Sequence, residues 1–257
     1  MQNASQEKIH LYIWAERFLY LGPAMDTSEH RNHASVWLIA RDGTLRVTLE
    51  DGRVLEDEVI YVPSGIAYAT EVNTDSLAAV YWEPESASFR RIAAHFENVP
   101  RAFRCQYAGS SDLTQLLNSD TSRDEADAMV RDIFQLGKED ASLPVFVDDR
   151  ISAALEFLRA EPQAYSSIGA LSARVHLSPS RFAHLFKEVV GVPVRRYVLW
   201  MKLRRALELA LAGDSLTTAA LSAGFSDGAH LSRSVRSLLG FAPEFLFRHR
   251  ERLVIHV

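Results

Sequence analysis

Residues Ser215-Leu216-Thr217-Thr218-Ala219-Ala220-Leu221-Ser222-Ala223-Gly224-Phe225-Ser226-Asp227-Gly228-Ala229-His230-Leu231-Ser232-Arg233-Ser234-Val235-Arg236-Ser237-Leu238-Leu239-Gly240 spell two short helices and the turn between them. Ser215 is a good N-cap for a helix from Leu216 to Ala223, because its hydroxyl can accept from an orphan backbone N–H of the first turn. Gly224-Phe225 makes the turn, Ser226 restarts the chain as a second cap, and Gly240 stops the helix at Leu239. Leu231, Val235 and Leu238 recur at helical spacing and form one stripe to be buried. Two short helices joined by a few residues are a helix-turn-helix.

The same grammar stands upstream. Ser166-Ser167 caps Ile168 to Arg174, Val175-His176-Leu177 breaks the chain, and Ser178-Pro179 supplies N-cap and first helical residue. The helix that follows, Pro179 to Val190, turns Phe182, Leu185, Phe186 and Val189 inward and ends at Gly191, with Pro193 beyond it. A longer helix, Pro193 to Ala212, joins the copies and fixes their separation. Its apolar face holds Val194, Val198, Leu199, Leu203, Ala206, Leu207 and Ala210, with Arg195, Arg196, Lys202, Arg204 and Arg205 around them. Asp149 to Ala160, with Ile151, Ala154, Leu155 and Leu158 inward, is a further helix stopped by Glu161-Pro162.

The stretch from about Ser166 to Arg248 resembles the DNA-binding domain of the AraC/XylS family. The resemblance rests on Gly224-Phe225-Ser226-Asp227, on Gly240-Phe241-Ala242-Pro243, and in the first copy on Leu177-Ser178-Pro179-Ser180-Arg181-Phe182 and Leu185-Phe186-Lys187. Leu231 and Val235 stand where the family usually has phenylalanine, which leaves the stripe apolar. It implies a cytoplasmic transcription regulator that docks two recognition helices in successive major grooves of double-stranded DNA, roughly 34 Å apart. A homodimer, a small-molecule effector and RNA polymerase are the further partners it implies.

Outward side chains on the two second helices are the expected DNA contacts. Ser180 and His184 are expected to read base edges, Arg181 to read bases or hold phosphate, and Lys187 to clamp phosphate. On the second copy His230, Ser232, Arg233 and Arg236 lie outside the apolar stripe. Arg233 suits bidentate recognition of guanine and Arg236 the backbone. Glu188 and Asp227 are read as helix-end charges.

Charge divides the chain in the same way. Residues 150–257 hold 15 Lys and Arg against 8 Asp and Glu, net +7, which leaves residues 1–149 at −12 and the whole chain at −5. A basic module that meets a polyanion is joined to an acidic one that does not. No apolar run is long enough to span a membrane, the N-terminus lacks the pattern of a signal peptide, and one cysteine, Cys105, excludes an internal disulfide and reads as a buried small hydrophobe.

From His10 to Trp82 short alternating apolar runs read as antiparallel strands: Leu11 to Trp14, Ser35 to Ala40, Leu45 to Leu49, Val59 to Val62 and Leu77 to Trp82. Asp42-Gly43 and Asp51-Gly52 supply the positive φ of tight hairpins. The fold class is therefore α+β in two domains: an antiparallel β-sandwich or barrel, cupin-like by the same family resemblance, with linker helices, then an all-α domain with two helix-turn-helix units. Helices are expected at Phe89 to Phe96, Ser110 to Asn118 and Ser122 to Leu136. The last, with Ala126, Met129, Val130, Ile133 and Phe134 on one face, packs either on its own sandwich or against a second subunit. The expected domains are 1–108, a sensor; 109–146, dimerisation helices and linker; and 147–257, the DNA-binding domain.

In metal-binding cupins two histidines such as His30 and His33 are joined by a third after a Pro-x-Gly turn. Here Pro63-Ser64-Gly65 leads to Ala67-Tyr68, which removes that ligand. The expectation is no metal, no cofactor and no catalytic residue, with His30, His33, Trp37, Tyr68 and Tyr81 the candidate lining of an effector pocket. Two alternatives stand beside it: a constitutive DNA-binding protein whose sandwich only dimerises, and a cupin enzyme fused to a DNA-binding module.

Overall fold

The computed structural model describes residues 8–86, 88–90, 92, 100–103, 121–134, 148–165, 167–242, 245 and 250–256. The expected helix at 110–118, Cys105, most of the expected helix at 89–96 and all but the last residue of the expected linker at 137–148 lie outside them. The chain folds into two compact units, 145–242 and 1–144 together with 243–257.

The first unit is a pair of β-sheets. The strands are β1 (Ile9–Ile13), β2 (Arg17–Pro23), β3 (Thr27–Arg31), β4 (Ser35–Ala40), β5 (Thr44–Leu49), β6 (Val54–Asp57), β7 (Val59–Val62), β8 (Ala67–Asn73), β9 (Ser76–Trp82), β10 (Arg101–Phe103) and β11 (Leu253–His256). Seven form one sheet in the order β10-β7-β4-β9-β2-β1-β11, and four form another in the order β3-β8-β5-β6. Of the two Asp-Gly turns, only the second is a hairpin: Gly52 links β5 to its antiparallel neighbour β6. The first carries the chain from β4 in one sheet to β5 in the other. Gly43 is required there, since its φ is +89° and a Cβ would lie 2.0 Å from the Asn73 carbonyl oxygen.

Period-2 alternation sorts the wholly buried strands of the large sheet onto two faces. Tyr12, Leu19, Leu21, Trp37, Ile39, Tyr61, Ala78, Val80 and Trp82 face α1 (Arg123–Ile133). Val36, Leu38, Ile60, Val62, Ala79 and Tyr81 alternate with them and so point to the four-stranded sheet, whose Leu45, Val47 and Leu49 are buried. Helix α1 starts in a complete capping box between Ser122 and Glu125, as its sequence signals. Its stripe of Ala126, Met129, Val130, Ile133 and Phe134 is buried on its own sheet, while Asp124, Glu125, Ala128 and Asp132 are exposed. Packing on the chain's own sheet is one of the two uses open to that stripe. Arg17 joins the same face, ion-paired with Asp127 and lying over the rings of Trp14 at 4.8 Å and Trp82 at 4.7 Å.

The C-terminal strand belongs to this unit, whereas the sequence placed residues up to 257 with the DNA-binding domain. It runs parallel to β1 in the register Ile9↔Leu253 to Tyr12↔His256. His10 Nδ1 and His256 Nε2 are 3.2 Å apart, and the His256 ring stacks on Tyr12 with centroids 4.0 Å apart.

The second unit is wholly helical: α2 (Asp149–Ala160), α3 (Ile168–Arg174), α4 (Pro179–Val190), α5 (Val194–Ala212), α6 (Leu216–Ser222) and α7 (Gly228–Leu239), with a short 3-10 turn at Pro162–Ala164. The central helix α5 packs against α2, α4, α6 and α7. It buries Tyr197, Trp200 and Met201 in addition to Val194, Val198, Leu203, Ala206 and Ala210.

Candidate nucleic-acid interface

The two helix-turn-helix units are built by the same backbone bonds. In the first, Ser167 caps α3 by accepting from Ala170 N at 3.1 Å, and Leu177 N reaches back five residues to Ser172 O at 3.0 Å. In the second, Ser215 accepts from Thr218 N at 3.1 Å and Phe225 N reaches Ala220 O at 2.9 Å. Between these bonds each chain passes through the left-handed region, at Gly224 with φ +84° and at His176 with φ +56°.

Each recognition helix then starts on a side-chain cap. Ser178 accepts from Arg181 N at 3.3 Å, with Pro179 as the first helical residue of α4. In the second copy the cap falls one residue later than the sequence suggests, on Asp227 rather than Ser226. The Asp227 carboxylate accepts from His230 N at 2.6 Å and from the Ser226 hydroxyl at 2.9 Å. A carboxylate offers two oxygens and meets both donors, and those bonds, with the nearby Arg233 charge, hold its pKa below the usual value. Gly191 (φ +85°) and Gly240 (φ +76°) end the two helices.

Burial follows the predicted stripes except at Val189, which is half-buried while its neighbour Val190 is buried. Phe182, Leu185, Phe186, Leu231, Val235 and Leu238 are buried, whereas Ser180, Arg181, His184, Lys187, Arg233 and Arg236 are exposed and Ser232 is half-buried. His230 is also half-buried and is held at its turn, its ring edge-on to Phe225 and its Nδ1 3.3 Å from Ser226 Oγ.

Twelve Lys and Arg lie between Val145 and Ala242, and eight of them are engaged within the chain. Arg150 pairs with Asp148, Arg174 lies over the Phe157 ring, Arg195 hydrogen-bonds Tyr165, Lys202 donates to the Gly224 carbonyl and Arg205 pairs with Glu208. Arg159, Arg196 and Arg204 have interactions of their own. Among the described residues of this unit the four whose side chains make no hydrogen bond, ion pair or ring contact are Arg181 and Lys187 on α4 and Arg233 and Arg236 on α7. The unit therefore keeps its uncommitted cations on its two recognition helices, where a polyphosphate backbone would meet them.

In the first unit the two segments singled out by sequence lie together. Gly65 N donates to Asn32 O at 3.1 Å, and the Ser64 hydroxyl donates to the His33 carbonyl. The candidate pocket residues nevertheless divide. His30 and Tyr68 are cross-strand partners with rings 4.3 Å apart, and Tyr81 stacks on Phe18 at 4.1 Å. Trp37 points to the other face of the large sheet, stacked on Tyr61 at 4.3 Å and edge-on to Phe134. His33 Nε2 lies 3.3 Å from a Glu85 oxygen, whereas His30 Nδ1 donates to the Ser28 carbonyl at 2.8 Å, so the two histidines serve different partners.

Burial lowers the pKa of His30 and raises those of Tyr68 and Tyr81, which favours their neutral forms. No sequence signal gives Asn32 a role. It is 1% exposed, donates from Nδ2 to Tyr68 Oη at 2.7 Å, and has no partner for Oδ1. The described residues contain no group of three or more His, Cys, Asp or Glu placed to hold a metal ion.

Comparison with known proteins agrees with this geometry. Residues 171–249 match a family model described as a helix-turn-helix domain. The bifunctional transcriptional activator/DNA repair enzyme Ada of Escherichia coli is 32% identical over 101 residues, which cover 39% of this chain and 28% of that protein. Among solved structures, an apo form of ToxT from Vibrio cholerae aligns over 91% of this chain and 98% of its own, with a TM-score of 0.63 and 12% identity. A 1.65 Å structure of ToxT aligns over 90% of this chain and 98% of its own, with a TM-score of 0.58 and 11% identity. These two likenesses are of fold. Residues 171–249 thus form a helix-turn-helix domain of the AraC type, as their sequence motifs suggest.

Proposed function

We propose that this regulator reads an asymmetric site through two successive major grooves, α4 in one and α7 in the other, and does so as a homodimer controlled by a small molecule held in the first unit. The observation that carries the DNA-reading half is the reservation of four uncommitted cations for the two recognition helices. Arg181 and Arg233 stand nearer the helix starts, with Ser180, His184 and Ser232 beside them, and are assigned to base edges. Lys187 stands nearly two turns beyond Arg181, and Arg236 just under a turn beyond Arg233, and both are assigned to phosphate. His230 serves by holding its turn. Because the two helices differ in sequence, one subunit reads a non-palindromic half-site, and RNA polymerase is the expected downstream partner.

Support for the effector half is chemical. Asn32 Oδ1 is a buried amide oxygen without a partner, next to the neutral rings of His30 and Tyr68, and buried polar groups are normally satisfied. ToxT, similar in fold, has been solved bound to an unsaturated fatty acid, so this architecture accommodates a small organic ligand. Dimerisation is assigned to faces other than the α1 stripe, which its own sheet covers.

The test is selection from a random duplex library by the full chain at two salt concentrations, followed by Arg181→Ala and Arg233→Ala in the selected sequence. A bipartite motif whose halves are centred about one helical turn apart, with each variant relaxing a different half, is the expected result. Retention of no duplex at low salt would remove the proposal.

A further inference from the structure

Lys202 stands in the basic face of α5, where the sequence offers it as one more cation for DNA. Its side chain is used otherwise. Nζ donates to the carbonyl oxygen of Gly224 at 3.0 Å, across 22 residues of sequence. Gly224 is the left-handed residue of the second turn, and a Cβ built on it would lie 3.2 Å from both Cε and Nζ of Lys202 and 3.3 Å from the backbone of Gln163. The turn is thus held between the Lys202 ammonium and the 3-10 turn at Pro162–Ala164. Contact with protein in place of water disfavours the charged amine and lowers its pKa, as expected for a group drawn against the fold.

Three residues beyond Gly224 the chain enters α7 through Asp227 and His230, which are bonded to each other and to Ser226. The pose of α7 relative to the spacer helix therefore depends on where Gly224 is held. We propose that Lys202 is a positioning residue for the second recognition helix, fixing its turn to α5, and is not a phosphate contact. The first copy has a different brace, the Arg174 guanidinium over the Phe157 ring of α2 at 4.0 Å. Loss of Lys202 should therefore disturb one half of the motif and spare the other. A misplaced recognition helix forfeits base-edge geometry, which is steep, whereas a lost phosphate contact weakens all sequences alike.

This inference rests on the bipartite reading of DNA, and the experiment separates the two. Wild-type full chain, Lys202→Met, Lys202→Gln and Lys202→Arg are put through the same library selection. The slope of log affinity against log salt is then measured on the wild-type motif, with thermal unfolding of each variant as the folding control. Positioning predicts that Lys202→Met keeps the α4 half of the motif, loses on the order of ten-fold discrimination in the α7 half and keeps the salt slope. Lys202→Arg, which retains a donor, restores the α7 half. A phosphate contact predicts the opposite, an intact motif with the slope reduced by about 0.9. That result would overturn the proposal, as would a Lys202→Met variant indistinguishable from wild type. If the methionine variant does not fold, Lys202→Gln carries the test, since it removes the charge but keeps an N–H, and a reduced slope there is equally fatal. Absence of a bipartite motif in the wild type would instead refute the reading on which the inference rests.

Discussion

Replacing His176 by glycine should stabilise the DNA-binding unit. His176 and Gly224 hold corresponding places in the two repeats, one residue before the donor of an i to i−5 backbone bond, with φ of +56° and +84°. An L-residue in the left-handed region costs roughly 1–2 kcal/mol through its Cβ, and glycine returns about 0.5–1 kcal/mol of that through its greater freedom in the unfolded chain. His176 is exposed and takes part in none of the bonds or ring contacts described above beyond its own backbone, so little else is lost. The net gain is about 0.5–1 kcal/mol, or about 2–6 °C if residues 145–242 unfold as one transition. Calorimetry of the full chain gives the shift. Binding to the selected duplex, measured alongside, should change by less than about two-fold, because no DNA contact is removed. A His176→Gly variant with unchanged or lowered melting temperature would refute the reasoning. The reciprocal change, Gly224→Ala, meets both the positive φ and the Lys202 side chain at 3.2 Å and should destabilise by about 2 kcal/mol or more.

Arg233→Ala should cost about 1–3 kcal/mol at one base pair and relax preference there, whereas Lys187→Ala and Arg236→Ala should weaken all duplexes alike and lower the salt slope by about 0.9 each. Competition binding with single-base operator variants distinguishes these outcomes. The Arg150 guanidinium holds the Asp148 carboxyl, which caps α2, at a pKa of about 2. The folded value lies below the unfolded one, so this contribution is complete above the ordinary carboxylate range and is lost as pH falls through about 2. Acid unfolding followed by circular dichroism should show less pH dependence in that range for Asp148→Asn. Ending the chain after Arg252 removes β11 and the His256 ring from β1, and amide exchange at the β1 residues between Ile9 and Tyr12 that donate to β11 should quicken at least ten-fold. Unchanged protection would mean that the strand does not hold the edge. Tyr68→Phe removes the hydroxyl that Asn32 bonds and should abolish any effector response of DNA binding while leaving binding without effector intact.

Much of the second unit was legible because its signals are local. Ser167, Ser178, Ser215, Gly191 and Gly240 act within one turn of where they stand, and the stripes of Phe182, Leu185, Phe186, Leu231, Val235 and Leu238 repeat with the helix period. A one-residue misplacement of a cap, Ser226 for Asp227, is the scale of error to expect when two neighbouring side chains can both accept from the backbone. The alternation of β5 and the short apolar runs of β4, β7 and β9 were visible for the same reason.

Tertiary structure decided what depends on partners distant in sequence. Nothing local distinguishes an Asp-Gly pair that closes a hairpin, as at Gly52, from one that crosses between sheets, as at Gly43. Strand β11 could not be read because its partner β1 stands at the opposite end of the chain, and a four-residue apolar run carries no record of that pairing. The face taken by Trp37 and the separate partners of His30 and His33 follow from which side of a sheet each strand turns to the interior. The division of the cations is the clearest case. Composition counts Arg174, Lys202 and Arg233 as equal charges, and only the fold sets a ring beneath the first and a carbonyl beside the second while leaving the third to solvent. Periodicity and capping are written in neighbouring residues, whereas the partner that a long side chain finds is settled by packing across the whole unit.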